Sequence, residues 1–310
     1  MAAQDERGAI LENGSYENAL TALSTLSMAA LGHLPSDPTP EGRAVRKALD
    51  FLLLDSQRTD GAYFGAVDNS RMYGHGIATL LLTEMLGMGA NREQDDKIRT
   101  TAKGAVEWIL RSQATPKRHP QFTGGWRYKP NDTESDLSIS IWQLLALRSA
   151  KNAGISVPDA AIESALGFLK GLFQTARTTG SRTGFAYLPG KPATGFSTTC
   201  AGMLAFQVCG RYDAPETEAV AEWMLQHPPE IKEEPWFYYG TYYYAQCMNQ
   251  HGGVHAEAAQ KRILELLLPM QEADGSWKIT HDYENKRVYR TAFALLSLSI
   301  KYNYLPIYQR

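Results

Sequence analysis

The chain is poor in cysteine. Three thiols in 310 residues, Cys200, Cys209 and Cys247, stand in helix-like stretches without C-x-x-C spacing, which excludes a disulfide framework and a four-cysteine zinc site. Neither sign of charge dominates. Lys and Arg number 31 against 33 Asp and Glu, a net of −2, so no broad basic face is implied and nucleic acid is not an expected partner. No apolar run approaches the roughly 18 to 20 residues that span a bilayer, and the mean hydropathy is −0.33. Met1-Ala2-Ala3-Gln4-Asp5-Glu6-Arg7 is no secretory signal, so a cytoplasmic location is the expectation. Sustained β-branched alternation bounded by turns is also missing, which predicts few and short strands. There is no GxSxG elbow, Walker loop or dinucleotide fingerprint, and neither a cofactor nor a metal is expected.

What the chain does have is a repeat. Five amphipathic segments end in glutamine, at Gln57, Gln113, Gln174, Gln226 and Gln271, spaced 45 to 61 residues apart. After four of them comes a glycine-aromatic turn: Gly61-Ala62-Tyr63-Phe64, Gly125-Trp126, Gly184-Phe185 and Gly275-Ser276-Trp277. Each turn leads into a second, more apolar helical pattern: residues 73–86, 136–152, 198–209 and 288–302. The stretches 16–31 and 238–249 read the same way. Segments of the first kind, such as 92–113, carry a wide charged face. Those of the second, such as 141–150, are apolar nearly all round, as helices surrounded by protein must be. Two concentric rings follow, with six inner and five to six outer helices, in one all-α domain over residues 1–310.

These residues resemble the prenyltransferase and squalene cyclase repeat proteins. Gln271-Glu272-Ala273-Asp274-Gly275-Ser276-Trp277 looks like the QW motif of that family, and segments such as Met72-Tyr73-Gly74-His75-Gly76 are similar to those of a bacterial single-toroid subgroup with no assigned reaction. The resemblance implies an alpha/alpha toroid whose central cavity takes an isoprenoid-like molecule. It does not carry over the family's reactive residues intact. The cyclases start reaction from an acidic DxDD motif, and the nearest match here is Glu134-Ser135-Asp136-Leu137, with Leu137 in place of the last acid. The zinc-binding Asp-x-Cys of the protein prenyltransferases is missing, and so is the Cys-Gly-Glu-Gln of the thioester-forming toroids.

Candidate site residues gather near the starts of the inner helices. Asp136 directly precedes an apolar helical run, so its simplest role is to cap that helix; if the protein is catalytic, it is the best proton donor. His75, between two glycines, is its best partner, though a lone histidine is more often structural. Seven of the nine residues 236–244 are aromatic. On a helix Tyr239, Tyr242 and Tyr243 share one face, and with Tyr73 and Trp142 they are expected to line a cavity; the alternative is that they fill space between the rings. Arg290 is expected at the same mouth, where six helix N-termini favour an anionic ligand group. Cys247, His251 and His255 would form a metal-binding stripe on an unbroken helix, but Gly252-Gly253 predicts a break. The leading expectation is therefore a toroid binding an apolar small molecule, with peripheral membrane contact compatible with it. A noncatalytic protein-interaction scaffold and a carbohydrate-active enzyme are the alternatives.

Overall fold

The computed structural model describes residues 3–14, 16–176, 182–193, 195–231, 234–302 and 304–309. Among them eleven α-helices follow one another: α1 (Glu17–Ala30), α2 (Pro40–Leu52), α3 (Arg71–Glu84), α4 (Arg92–Gln113), α5 (Leu137–Asn152) and α6 (Asp159–Lys170). The second half adds α7 (Phe196–Val208), α8 (Pro215–Gln226), α9 (Phe237–His251), α10 (Gly253–Leu267) and α11 (Arg287–Leu298). The odd-numbered helices form the inner ring. Each packs on the next, and α11 returns to α1, which closes the circle. The even-numbered helices pack outside them, giving six inner and five outer helices in an alpha/alpha toroid.

Burial separates the two rings as the sequence pattern requires. All of α7 is buried, and so is α5 apart from Arg148, Lys151 and Asn152. By contrast α4 buries Ile98, Ala102, Ala105 and Ile109 on one stripe and turns its charged residues to solvent. Two outer helices, α2 and α4, start where a side chain satisfies a first free amide: Thr39 accepts from Gly42 N–H ahead of Pro40, and Asn91 accepts from Gln94 N–H.

The corners between outer and inner helices are the repeated sequence motif in three dimensions. Trp126 Nε1 donates to Ile109 O at 2.9 Å and Trp277 Nε1 to Leu267 O at 2.8 Å, so each indole occupies a carbonyl near the end of the preceding outer helix. Gly124 makes its corner possible: its φ is +93° and a Cβ there would lie 2.1 Å from Ser164 O. Gln113 binds two carbonyls, Gly124 O at 2.8 Å and Ala161 O at 2.9 Å, joining its corner to α6. Gln113→Ala is expected to cost about 1 to 2 kcal/mol, since two carbonyls lose their donor. Urea denaturation checks this, and a loss below about 0.5 kcal/mol would show that the glutamine is not a stitch. Among the described residues strand is confined to the two-residue pairing of Phe173–Gln174 with Gly184–Phe185 and a few isolated bridges.

Where a sixth outer helix would lie, between α11 and α1, the N-terminal segment crosses instead. Glu12 accepts from Arg287 N–H and Val288 N–H, and so caps α11. At the far end of the ring the segment Leu305–Tyr308 lies across the C-terminal ends of the inner helices: Ile307 N–H donates to Glu84 at 3.0 Å, Gln250 to Tyr308 O, and the Tyr308 and Tyr242 hydroxyls touch. Residues 115–123 lie largely exposed but are anchored at Phe122, which is buried and whose carbonyl accepts from Ser135 Oγ at 2.7 Å.

Candidate functional site

The N-terminal ends of all six inner helices surround one well of about 680 Å³. Ten aromatic residues border it, among them Tyr73 from α3, Trp142 from α5, Tyr239 from α9, and Tyr289 and Phe293 from α11. Tyr128 and Tyr187 come from the corners, and their hydroxyls meet at 2.8 Å. Trp142 borders the well at its floor although it is itself buried, stacked on Tyr242 with ring centroids 6.1 Å apart. At the lip Trp236 stacks on Tyr283 at 5.1 Å, both exposed. Arg71 and Lys286 bring positive charge to the wall.

Three wall residues, Tyr16, Asn69 and Arg71, hold left-handed backbone with φ of 61°, 57° and 57°. Such backbone costs free energy for a residue with a Cβ and recurs at ligand sites.

Glu284 is the one carboxylate among the described residues of the wall. It reaches across to accept from Tyr238 N–H at 2.9 Å and Tyr239 N–H at 3.0 Å, and so caps α9 from a distant corner. Burial raises its pKa to about 7.

Asp136 lies just behind the wall, fully buried. Its Oδ1 accepts from Ile139 N–H at 2.9 Å, the cap read from sequence, and from Ser138 Oγ at 2.8 Å. Arg127 Nη1 stands 3.2 Å from Oδ2. Burial lifts its pKa to about 6 against these donors. Asp136 has no direct face on the well; it meets it through Ser138, which accepts from the Tyr73 hydroxyl at 2.6 Å.

Four expected placements need correction. His75 points away from the well into the seam with α4, where Nε2 donates to Ala105 O at 3.1 Å and Nδ1 accepts from Phe64 N–H. Two residues beyond Tyr73 is about 200° around a helix, so one of the pair had to face outward. Burial lowers its pKa to about 4, leaving a neutral imidazole with both nitrogens engaged, and it does not partner Asp136. The flanking glycines give it no room: a Cβ on Gly76 would meet Gln143 Nε2 at 2.5 Å, which is how closely α3 approaches α5. Arg290 is spent on backbone, donating to Trp277 O at 2.8 Å and Asn285 O at 2.7 Å. Tyr242 and Tyr243 lie beneath the wall residues, one helical turn below Tyr239, and pack the floor from behind. Tyr73, Trp142 and Tyr239 do border the well.

Sequence reading missed Ser138, Glu284, Tyr128 and Tyr187. The tyrosines had a signal, because an aromatic followed two residues later by Tyr recurs at Trp126/Tyr128 and Phe185/Tyr187. Glu284 had none, since its partners are 45 and 46 residues away.

The helix breaks at Gly252, with φ of +88°, yet the His251 and His255 rings still meet edge to face with centroids 4.5 Å apart, and His255 faces Glu222 at 3.2 Å. Among the described residues no three His, Cys, Asp or Glu side chains group as metal ligands, and no helix is long and apolar enough to cross a membrane.

No protein-family model matches the chain, and no curated protein resembles it in sequence. Solved structures do share its architecture. The GH76A alpha-1,6-mannanase from Salegentibacter sp. HEL1_6 superposes with a TM-score of 0.66 at 9% identity, over 97% of this chain and 95% of that one. The type II terpene cyclase MstE from Scytonema gives 0.58 at 15% identity, over 96% and 93%. A variant of that cyclase holding its substrate geranylgeranyl dihydroxybenzoate gives 0.57, also at 15%, over 99% and 94%. At these identities the likeness is one of fold: this chain is an alpha/alpha toroid like those that act on mannan and on terpenoids.

Proposed function

We propose that the protein binds an apolar, isoprenoid-like small molecule in the central well, with the apolar body among the rings and the polar head toward Arg71 and Lys286. The observation that carries this reading is the wall itself, which among the described residues has ten aromatics and one carboxylate, Glu284, already engaged as a helix cap. Aromatic faces take apolar and electron-poor groups alike. Glycoside hydrolysis by the usual route needs two carboxylates facing one bond, and the adjacent pair Asp95-Asp96 lies in outer helix α4, outside the wall. A volume of about 680 Å³ suits a small-molecule pocket. The terpene cyclase neighbour, which takes a geranylgeranyl substrate, is in keeping with this reading. Exposed Tyr16, Trp236 and Tyr283 at the lip would suit ligand transfer from a lipid surface.

Native mass spectrometry of the purified protein, followed by solvent extraction, tests the proposal. A noncovalent adduct that releases an isoprenoid lipid, or a one-to-one complex with added geranylgeraniol, is the expected result. A second reading, that the well takes a sugar, draws on its hydroxyl-rich wall and on the mannanase neighbour. Binding of alpha-1,6-mannotriose with no isoprenoid complex would replace the first reading by the second.

A further inference from the structure

The geometry points to a directional hydrogen-bond acceptor in the wall: we infer that the Tyr73 phenol oxygen receives a donor group of the ligand, so the well selects an isoprenoid alcohol over the corresponding ether. This inference deepens the reading of the well as an isoprenoid site and rests on it.

The argument is a count of protons. Both oxygens of Asp136 face obligate donors, Oδ1 the Ile139 N–H and Oδ2 the Arg127 guanidinium. A proton on either oxygen would oppose one of them, so at neutral pH the carboxyl stands ionised and can only accept. Ser138 Oγ, 2.8 Å from Oδ1, must therefore give Asp136 its one proton. With that proton spent, Ser138 Oγ can only accept from the Tyr73 hydroxyl at 2.6 Å. The Tyr73 proton is thus also committed, and what remains for the well is the lone-pair side of its oxygen, with a buried anion behind the chain.

A hydroxyl or ammonium group meets that oxygen favourably. An ether or carbonyl oxygen meets it lone pair to lone pair, and a buried mismatch of this kind is a strong means of discrimination. The fixed polarity makes Tyr73 a specificity determinant, with Ser138 and Asp136 as positioning residues.

The test uses geranylgeraniol and its methyl ether, which share a skeleton and differ in the donor, followed by tryptophan fluorescence on the full chain. The wild type should bind the alcohol about tenfold or more tighter than the ether. Tyr73→Phe should bring the ratio close to one by weakening the alcohol. Ser138→Ala should bring it close to one differently, because the freed Tyr73 hydroxyl can turn and donate to the ether, which then gains affinity. That gain is something loss of structure cannot produce, and it keeps the inference falsifiable should Tyr73→Phe fold poorly. Equal binding of the two ligands by the wild type, or a ratio unchanged in the variants, would overturn the acceptor assignment while leaving the isoprenoid reading intact. Binding of neither overturns the isoprenoid reading and this inference with it.

Discussion

Replacing Trp142 by alanine is expected to cost about 3 to 5 kcal/mol of folding stability. The side chain is fully buried although it borders the well, because it is wedged among Tyr239, Tyr242, Tyr243 and Phe293 with ring centroids 6.1 to 6.5 Å away. It also stands where α5 meets α3 most closely, with its Cβ 3.0 Å from where a Cβ on Gly76 would be. Removing the indole leaves a hole that α3 and α5 cannot close, since Gly76 already lies against the Trp142 Cβ, which alanine keeps. Trp236→Ala at the lip, where the side chain is 44% exposed, is expected to cost no more than about 1 kcal/mol. Guanidinium denaturation of both variants makes the comparison. Equal losses would mean that the floor is no more firmly packed than the lip, and the well would then lack the rigid base that a defined ligand pose requires.

The same residues show how far the sequence can be read. Helices buried all round cannot lie on a surface, so α5 and α7 declared an inner ring, and the glycine-tryptophan corners declared its connections. Those signals are local. Which face of an inner helix looks into the well is set by the roll of the helix against two neighbours, and no local pattern fixes it. Tyr73 and His75 are two residues apart and serve opposite sides of α3. Asp136 was legible as a cap because capping is local, whereas its connection to the well runs through Tyr73, 65 residues from Ser138. Arg290 stands beside Tyr289, which borders the well, yet its guanidinium is held by the carbonyls of Trp277 and Asn285. A cationic side chain at a helix start was a sound anion-site signal; the competing demand, unpaired carbonyls in the preceding corner, arises only once the ring has closed.

Stability should fall as pH rises from about 5 to about 8, opposite to the usual trend for a protein held by ionised carboxylates. Burial raises Glu84 to about 7, Glu284 to about 7 and Asp136 to about 6. A carboxyl whose pKa is higher folded than unfolded binds its proton more tightly in the native state, so the stability it contributes is present below the unfolded pKa and is lost as pH climbs through the folded value. His75 acts in the reverse sense. Its pKa is depressed to about 4, so the unfolded chain gains a proton below about 6.5 that the native state refuses, and this offsets one of the three carboxyls between about pH 4 and 6.5. The two glutamates leave a net loss through neutrality. Glu84 isolates the effect best, because its partners show what a neutral side chain would need. One oxygen accepts from Ile307 N–H at 3.0 Å, and the other is in close contact with Ser149 Oγ, whose oxygen can accept a carboxylic proton. Glutamine reproduces that neutral pattern, with its carbonyl toward Ile307 and its amide N–H toward Ser149, and avoids burying a charge. Glu84→Gln is therefore expected to gain roughly 3 kcal/mol at pH 8 and no more than about 1 kcal/mol at pH 5, flattening the profile. Thermal and denaturant unfolding of both proteins at the two pH values measures it. If the variant lost stability at pH 8, the carboxylate would be holding the Leu305–Tyr308 segment in place as an ion, and the seal across the far end of the ring would depend on charge.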